Sequence, residues 1–258
     1  MKTFALVTGA SKGIGKAIAE ELAARGHSLV LIARSENTLA ETAFNISKKF
    51  QVEVKYLVAD LGDSKSPQFI FNWCRANNYP INILVNNAGF GLSGAFNKYP
   101  IEESLNMMQV NMHAPVHLSH LFIPELAIHP KSYILNVASS AAYQPVPGLS
   151  LYAASKIFIL NFSRGLKQEL KSSNISVSCV CPGATDTEFI VRANVGVRGQ
   201  KSAELVNMSP KQVAIIAING MFNNEAEIIA GWLNKLNVFL AWLLPKIVLE
   251  KIAMKLYR

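Results

Sequence analysis

The 258-residue sequence predicts an α/β protein in which a doubly wound parallel sheet of about seven strands is covered by helices on both faces. Short apolar runs of strand length, bounded by turn residues, alternate with longer segments of helical period. Strands separated by helices form a parallel sheet, which must be covered on both faces. With right-handed crossovers, the result is a three-layer α/β/α sandwich.

The predicted elements follow one another in a regular order. The strand-like runs are FALVT, SLVLIA, VEVKYLVA, INILVN, SYILNVAS, ISVSCVC and a short EIIAG. The helical segments cover residues 13–25, 36–49, 64–78, 101–127, 151–172 and a stretch from about Pro210. Between residues 185 and 209 the alternation fades, which predicts an irregular or helical lid. No repeat or linker interrupts the order, so we expect one domain, 1–258, that ends in a lipophilic, basic tail, 232–258.

The composition is sufficient for one core, because half of the residues are hydrophobic. The net charge of +8 is compatible with an anionic partner, but charge alone does not distinguish nucleic acid, a membrane and a phosphorylated ligand. Cys74, Cys179 and Cys181 are an odd number, so we expect no disulfide framework and a reducing cytoplasm. The N-terminal apolar run is too short for a signal peptide.

A glycine-rich turn, VTGASKGIG, follows the first strand and opens the first helix. Its glycines let the backbone turn tightly and approach a ligand, and the peptide N–H groups at a helix N-terminus attract phosphate. The turn lacks the Gly-Lys-Ser/Thr ending of a P-loop, and its strand–turn–helix context favours a dinucleotide. We therefore expect a Rossmann-type cofactor site that includes Gly9, Ser11, Lys12, Gly13, Ile14 and Gly15.

The residues after the second strand favour NADP(H) over NAD(H). An acidic residue at this point would bind the free 2′-hydroxyl of NAD. This sequence instead has Arg34 and Ser35, and the Arg34 guanidinium can form charge-assisted hydrogen bonds to a 2′-phosphate. Lys12 in the glycine turn adds a second positive charge. The competing interpretation is that Lys12 and Arg34 are solvated surface charges.

A series of motifs along the chain resembles the short-chain dehydrogenase/reductase superfamily. The motifs are TGASKGIG, ADLGD after the third strand, NNAG after the fourth, Asn111 in MMQVNMHAP, Ser139 in NVASS, YAASK and PGATDTEF. The resemblance covers almost the whole chain and implies a single-domain NADP(H)-dependent oxidoreductase. Within the superfamily, the sequence is most similar to ketoacyl-reductase-like and hydroxysteroid-dehydrogenase-like members.

The resemblance also implies which residues contact the cofactor. The adenine is assigned to Asp60 and Leu61, and the adenosine ribose and backbone to Asn87, Ala88 and Gly89. The nicotinamide ribose is assigned to Tyr152 and Lys156. The nicotinamide amide and the phosphates are assigned to Pro182, Gly183, Thr185 and Thr187. Besides contacting the cofactor, the asparagines of NNAG can tie neighbouring strands together.

Tyr152 and Lys156 stand four residues apart in a predicted helix and therefore share one face. A free tyrosine has a pKa near 10, so proton transfer near pH 7 requires about 4 kcal/mol of preferential phenolate stabilisation, part of which a lysine cation can supply. Reduction of a ketone leaves an alkoxide-like oxygen that needs a proton and hydrogen-bond donors. By resemblance, Tyr152 is the general acid/base, Ser139 anchors the substrate oxygen and Asn111 holds a water in a relay to Lys156. Strand alternation turns the adjacent Ser140 to the other face.

The pocket expected over the nicotinamide is largely apolar, which favours a lipophilic or acyl-chain carbonyl substrate. Its residues are Phe90, Leu92, Ala141, Tyr143, Pro145, Leu149 and Phe189. A metal site at His113, His117 and His120 is not expected, because no carboxylate or cysteine accompanies them.

Two other functional classes use related sequences. A non-catalytic protein that senses NADP(H) need not keep the Ser, Tyr, Lys and Asn set, which this chain has complete. Nucleotide-sugar epimerases and dehydratases use the same Tyr and Lys, but they resemble longer chains with a sizeable substrate domain. Nucleic-acid binding is not expected, because the basic residues form no motif and half of the excess charge lies in the tail.

The tail from residue 232 onward has five basic residues and one acidic residue. Its longest apolar run, Val238 to Leu244, has seven residues, well below the ~20 needed to span a bilayer. A basic helix with an apolar stripe (Val248, Ile252, Leu256) can cover the substrate pocket, pack on another subunit or make peripheral contact with an anionic membrane. The sequence leaves these three open. By resemblance, we expect a homodimer or homotetramer.

Overall fold

The sheet is parallel throughout the described residues, as the sequence predicts. The computed structural model describes residues 2–183, 185 and 208–257. Its strands are β1 (Phe4–Thr8), β2 (Ser28–Ala33), β3 (Val54–Val58), β4 (Ile81–Asn86), β5 (Ser132–Val137), β6 (Ile175–Cys181) and β7 (Glu227–Ile229). They are hydrogen-bonded in the order β3-β2-β1-β4-β5-β6-β7, and every neighbouring pair is parallel. The predicted doubly wound parallel sheet is therefore confirmed.

Helices cover both faces of this sheet. They are α1 (Gly13–Ala24), α2 (Glu36–Phe50), α3 (Ser66–Ala76), α4 (Ile101–Met108), α5 (Ala114–Ala127), α6 (Ser150–Glu169), α7 (Pro210–Phe222), α8 (Trp232–Leu243) and α9 (Lys246–Tyr257). Two short 3-10 helices, Phe96–Lys98 and Ser140–Tyr143, lie in the loops after β4 and β5. Most helix ends agree with the sequence prediction to within two residues.

The segment predicted as one helix, 101–127, is not uniformly α-helical. A π-helical turn, Gln109–His113, joins α4 to α5. Pro115 lies in the first turn of α5 and has no N–H group to donate to the carbonyl oxygen of Asn111, so the regular ladder of hydrogen bonds is broken there. Such π-helical turns occur frequently at functional sites, and this one contains Asn111.

Two apolar cores lie on opposite faces of the sheet. Successive strand residues point to opposite faces, and in β1 Leu6 packs into the core formed with α3, α5 and α6, whereas Val7 packs into the core formed with α1, α2 and α7. Both side chains are fully buried. The strands are apolar along their length because both of their faces are covered.

Buried asparagines connect the two central strands and one helix. Asn86 Nδ2 of β4 donates to Asn136 Oδ1 of β5 at 2.9 Å, and Asn136 Nδ2 donates to Ser163 Oγ of α6 at 2.8 Å. All three side chains are buried. Because a buried polar group is costly unless it is hydrogen-bonded, this chain of bonds fixes α6 against the sheet.

The C-terminal tail forms α8 and α9, and α8 packs on the 3-10 turn Ser140–Tyr143 and on β7. In the described part of the chain, no helix combines the length and the apolar character that crossing a membrane requires. Cys74, Cys179 and Cys181 are buried free thiols, and the two on β6 pack in an apolar cluster.

Candidate active site

A cleft of about 980 Å³ opens at the carboxyl ends of the strands. It lies where the strand order reverses, with β2 on one side of β1 and β4 on the other, which is where open α/β sheets bind their ligands. The residues predicted from sequence that line it are Gly9, Ser11, Lys12, Gly13, Ile14, Gly15, Arg34, Ser35, Asp60, Leu61, Asn87, Ala88, Gly89, Ser139, Tyr152, Lys156, Pro182, Gly183 and Thr185. Thr187 and Phe189 lie outside the described residues.

The glycine turn has a backbone conformation that residues with a side chain adopt only with strain. Gly9 and Gly13 have φ angles of +65° and +60°, values that favour glycine. A side chain on Gly15 would collide with the carbonyl oxygen of Gly9 and with Asn87 Nδ2. The turn therefore lies against the end of β4, and its peptide groups border the cleft at the start of α1, as a phosphate-binding turn requires.

Hydrogen bonds tie the glycine turn to the NNAG segment. Asn87 Nδ2 donates to the carbonyl oxygens of Thr8 and Gly9 at 2.8 and 3.2 Å. Thr8 Oγ1 accepts from the backbone N–H groups of Asn87 and Ala88 at 3.0 and 3.1 Å. The ends of β1 and β4 are thus held in one arrangement, which confirms that NNAG asparagines tie neighbouring strands together.

Arg34 faces the carboxylate of Asp60 across the rim of the cleft. Arg34 Nη1 lies 3.8 Å from Asp60 Oδ2, and about half of each side chain is exposed. Asp60 Oδ1 accepts a hydrogen bond from the backbone N–H of Gly62 at 2.9 Å, which orients the carboxylate. An ion pair this exposed contributes at most about 1 kcal/mol. Arg34 can therefore turn away from Asp60 to an anionic ligand in the cleft at small cost. The sequence alone did not reveal the contact between these two side chains.

Tyr152 and Lys156 lie one turn apart on α6 and are both buried. Lys156 Nζ donates to the carbonyl oxygen of Val137 at 3.0 Å and lies 5.7 Å from the centre of the Tyr152 ring. Burial lowers the pKa of Lys156 to about 8, although the Cys179 and Cys181 thiols oppose the shift. The lysine cation is therefore close enough to stabilise a phenolate on Tyr152, as the four-residue spacing predicts.

Ser139 follows β5 and caps the 3-10 helix Ser140–Tyr143. Its Oγ accepts from the backbone N–H of Ala141 at 3.1 Å, which leaves the hydroxyl hydrogen for donation to a ligand oxygen. Ser140 also lines the cleft, so the expectation that it turns away is wrong. Strand alternation ends at Val137, and the chain then curls into the 3-10 helix.

Asn111 does not reach the cleft wall formed by the described residues, but it holds that wall in place. Its Oδ1 accepts from the Phe90 N–H at 3.0 Å, and its Nδ2 donates to the Phe90 carbonyl at 2.9 Å and to Ser155 Oγ at 3.0 Å. A Cβ atom on Gly89 would lie 3.1 Å from Asn111 Oδ1 and 3.2 Å from Lys156 Nζ. The asparagine amide therefore fixes the loop after β4 beside Lys156.

The apolar end of the cleft contains part of the predicted substrate pocket. Phe90, Ala141 and Leu149 line the cleft, together with Val146, which the sequence interpretation omitted. Leu92, Tyr143 and Pro145 do not line it in the described structure. Tyr143 instead donates from Oη to Glu227 Oε1 at 2.6 Å, and it packs beside the two cysteines of β6. Burial raises the pKa of the Tyr143 phenol.

Sequence reasoning also missed the contribution of α7. Ser209, Pro210 and Lys211 line the cleft. Ser209 forms a capping box with Gln212, in which each side chain bonds the backbone of the other residue. The sequence SPKQ carries this helix-start signal, but nothing in it shows that the helix begins at the cleft.

Comparisons with known proteins identify the family of this chain. A model of the short chain dehydrogenase family matches residues 3–198, and this chain belongs to that family. The very-long-chain 3-oxoacyl-CoA reductase-B of Danio rerio is 40% identical over 190 residues, which are 72% of this chain and 60% of that protein. The chain thus spans less than two thirds of the length of that relative.

Two solved structures are similar over nearly the whole chain. A short-chain dehydrogenase from Sphingobium yanoikuyae in complex with NADPH is 32% identical, with a TM-score of 0.81, covering 89% of this chain and 88% of that one. The bulky-bulky ketone specific alcohol dehydrogenase from Comamonas testosteroni is 30% identical, with a TM-score of 0.77, covering 93% of each chain.

Proposed function

We propose that the protein is an NADP(H)-dependent oxidoreductase that transfers hydride between NADPH and a carbonyl or secondary alcohol. The observation that carries this proposal is the arrangement of Ser139, Tyr152 and Lys156 in the same cleft as the glycine turn. The positive φ angles of Gly9 and Gly13 and the close approach at Gly15 fit a dinucleotide phosphate. The bound nicotinamide would supply the hydride.

The chain's own residues supply the proton and the charge stabilisation. In reduction, the Tyr152 phenol donates its proton to the carbonyl oxygen as negative charge develops there, and the Ser139 hydroxyl donates a hydrogen bond to the same oxygen. Lys156, 5.7 Å from the tyrosine ring, lowers the cost of the phenolate that remains. In oxidation, Tyr152 acts as the base. Asn111 positions the Phe90 loop and takes part in the relay to Lys156.

The cofactor preference rests on charge at the rim of the cleft. Lys12, Arg34 and Lys211 all line it, and Asp60 is the acidic residue nearest to Arg34 among the ion pairs of the described structure. A 2′-phosphate that displaces the exposed Asp60 carboxylate gains charge-assisted hydrogen bonds from the guanidinium. The Sphingobium yanoikuyae relative in complex with NADPH supports the same preference.

The proposed substrate is a lipophilic ketone or ketoacyl compound. The part of the cleft near Ser139 is lined by Phe90, Ala141, Val146 and Leu149, and an apolar wall favours a ligand that buries hydrocarbon. The relatives named for 3-oxoacyl-CoA reduction and for bulky ketones support this class.

The proposed assembly is a homodimer or homotetramer. Leu105 of α4 and Ile157 of α6 are large apolar residues on helix surfaces, 55% and 44% exposed, as expected where helices of two subunits meet. Light scattering coupled to gel filtration measures the assembly directly.

Turnover against a carbonyl panel tests the proposed function. NADPH consumption is measured with ketoacyl, steroid, aliphatic and aromatic carbonyls, using wild type, Tyr152→Phe and the control Tyr56→Phe, which changes an exposed tyrosine on β3. We expect Tyr152→Phe to lower kcat by roughly 10²–10⁴-fold, because it removes the proton donor. NADPH affinity should change little, because the variant removes one hydroxyl and leaves the other cofactor contacts in place. Full activity of Tyr152→Phe would refute the mechanism.

A further inference from the structure

Helix α8 is amphipathic, but its apolar side is exposed instead of packed against the protein. Successive residues of an α-helix are about 100° apart, so one stripe along α8 contains Trp232, Leu236, Phe239 and Leu243. These side chains are 72%, 46%, 54% and 60% exposed. Trp242 lies at the edge of the stripe and is 80% exposed. The apolar side of this helix therefore faces away from the protein.

The opposite side of α8 is anchored by a polar residue. Asn234 lies about 170° from the middle of the stripe and is buried, with its Nδ2 donating to the carbonyl oxygen of Ala230 at 2.7 Å. The Asn234 amide packs against Gly183, where a side chain would collide with it. The packing of Asn234 against Gly183 thus sets the orientation of α8, and rotating the helix to bury its apolar stripe would expose this packed side.

Helix α9 extends the same pattern. Among the side chains of α9 that the structure describes, Leu249 and Ala253 are buried, whereas Ile247 and Met254 lie on the opposite side and are 62% and 40% exposed. Lys251 is exposed between them on the same side. Exposed apolar and basic side chains therefore share one surface of α9.

Charge identifies the partner that this surface fits. Lys235, Lys246 and Lys251 are exposed, and the tail from 232 onward has five basic residues against one acidic residue. A second copy of the tail would bring like charges together, which opposes association. A lipid bilayer with anionic headgroups accepts the apolar stripe at the acyl boundary and attracts the lysines, and tryptophan is enriched at that boundary.

We propose that the outward apolar side of α8, together with the lysines of α8 and α9, binds the surface of a bilayer that contains anionic lipids. The helices lie in the plane of the interface, and the rest of the fold stays in water. Because α8 packs on the turn Ser140–Tyr143 with its other side, the helix lies between the bound lipid and the loop that carries Ser139. The binding is independent of turnover and does not depend on the proposed reaction.

Vesicle flotation of the full chain tests this proposal. We expect the protein to float with vesicles of mixed phosphatidylcholine and phosphatidylglycerol, to float much less with phosphatidylcholine alone, and to be released as salt is raised, because salt screens the lysine contribution. Failure of the intact protein to float with the mixed vesicles at low salt would overturn the proposal.

Paired variants separate the apolar contribution from the charged one. Phe239→Ser with Leu243→Ser should weaken partitioning at least about tenfold. Lys246→Gln with Lys251→Gln should weaken it roughly 30-fold. The matched control, Phe69→Ser with Ile128→Ser, removes residues that are 52% and 75% exposed outside the tail and should leave partitioning unchanged. Thermal midpoints within a few degrees of wild type show that each variant is folded, and equal losses in control and tail variants would refute the assignment to α8 and α9.

Tryptophan fluorescence gives a readout that needs no label. Of the three tryptophans, Trp232 and Trp242 lie exposed on α8, and Trp73 is half-buried on α3. We expect a shift of emission to shorter wavelength when mixed vesicles are added, and none in Trp232→Phe with Trp242→Phe. A shift that appears without vesicles and grows with protein concentration would instead identify a second copy as the partner and overturn the proposal.

Discussion

Lys156 donates a hydrogen bond from Nζ to the backbone carbonyl oxygen of Val137 at 3.0 Å, so a side chain of α6 is fixed to the carboxyl end of β5. Lys156 is 4% exposed, and Tyr152 is 7% exposed beside it. The lysine thus reaches the sheet through the space next to the tyrosine ring. In this structure the Lys156 ammonium donates to one backbone acceptor, and burial disfavours its charge and lowers its pKa.

Replacement of Lys156 by methionine should change the pH dependence of stability. Burial lowers the pKa of Lys156 from 10.5 to about 8, so between those values the unfolded chain binds more protons than the folded one. The contribution of this residue to stability therefore rises with pH in that window, and below about pH 8 the cost of burying the cation is fully present. In wild type, this residue should raise the free energy of unfolding by at most about 3 kcal/mol across that pH window. We expect no such increase in Lys156→Met.

Denaturant unfolding between pH 7 and pH 10 measures this effect as the difference between Lys156→Met and wild type. Lys171→Met, which changes an exposed lysine beyond the end of α6, is the control and should follow the wild-type profile. Parallel profiles for wild type and Lys156→Met would show that the lysine is not buried as a titrating group.

Arg34→Asp should reverse the preference between the two nicotinamide cofactors. The variant removes the guanidinium that would bind a 2′-phosphate and adds a second carboxylate next to Asp60. A hydrogen bond to a charged group is worth about 1.5–3 kcal/mol, so the ratio of NADPH to NADH affinity should fall by roughly 10–100-fold. Fluorescence titration of both cofactors measures the ratio. The control Lys171→Asp makes the same charge reversal at an exposed site outside the cleft and should leave the affinity ratio at its wild-type value. If Arg34→Asp also had the wild-type ratio, the assignment of Arg34 to the 2′-phosphate would be refuted.

Two glycine-to-alanine changes should have opposite effects. A methyl group on Gly15 would collide with the backbone of Gly9, so Gly15→Ala should lower stability and prevent cofactor binding. Gly165 lies in the interior of α6 with no atom within 4 Å of an added methyl group, so Gly165→Ala should raise stability by about 0.5–1 kcal/mol. Thermal unfolding and NADPH titration of both variants check this pair, and normal cofactor affinity in Gly15→Ala would contradict the geometry of the turn.

Asn111→Ala should destabilise the loop after β4. The change removes the hydrogen bonds to the Phe90 backbone and to Ser155, and unsatisfied buried groups cost about 1–3 kcal/mol each. We expect a loss of about 3 kcal/mol or more in the free energy of unfolding, with loss of turnover because Gly89 and Phe90 no longer hold the cleft wall. Asn77→Ala removes one bond from an exposed asparagine to Trp73 and should cost less than about 1 kcal/mol. Equal stability of the two variants would show that Asn111 does not fix the loop.

Local sequence patterns predicted several parts of the site. The glycines of the first turn, the four-residue spacing of Tyr152 and Lys156 and the absence of an acidic residue at Arg34 are local patterns whose chemistry follows from residue type. The contact of Arg34 with Asp60 could not be predicted from local sequence, because it joins the ends of β2 and β3 across the rim of the cleft. The π-helical turn at Asn111 was also missed, although Pro115 was its local signal.

Tyr143 and α7 show why some predictions failed. Tyr143 follows Ser139 closely in sequence, so it was expected in the pocket, but the 3-10 turn directs its hydroxyl to Glu227 on the edge strand. The start of α7 was predicted from Pro210, but its position at the cleft depends on packing of α7 beside α1. Both outcomes depend on contacts between residues far apart in the chain.

The sequence by itself determined the sheet, its parallel direction and the residue types of the cleft, because hydrophobic period, glycine turns and helical spacing act over short stretches of chain. The tertiary structure alone decided which groups meet: Arg34 with Asp60, Asn111 with Phe90, and Asn234 with Gly183. It also decided that the apolar stripe of α8 faces outward. These are long-range choices, settled by the packing of helices on the sheet rather than by the local preference of any residue.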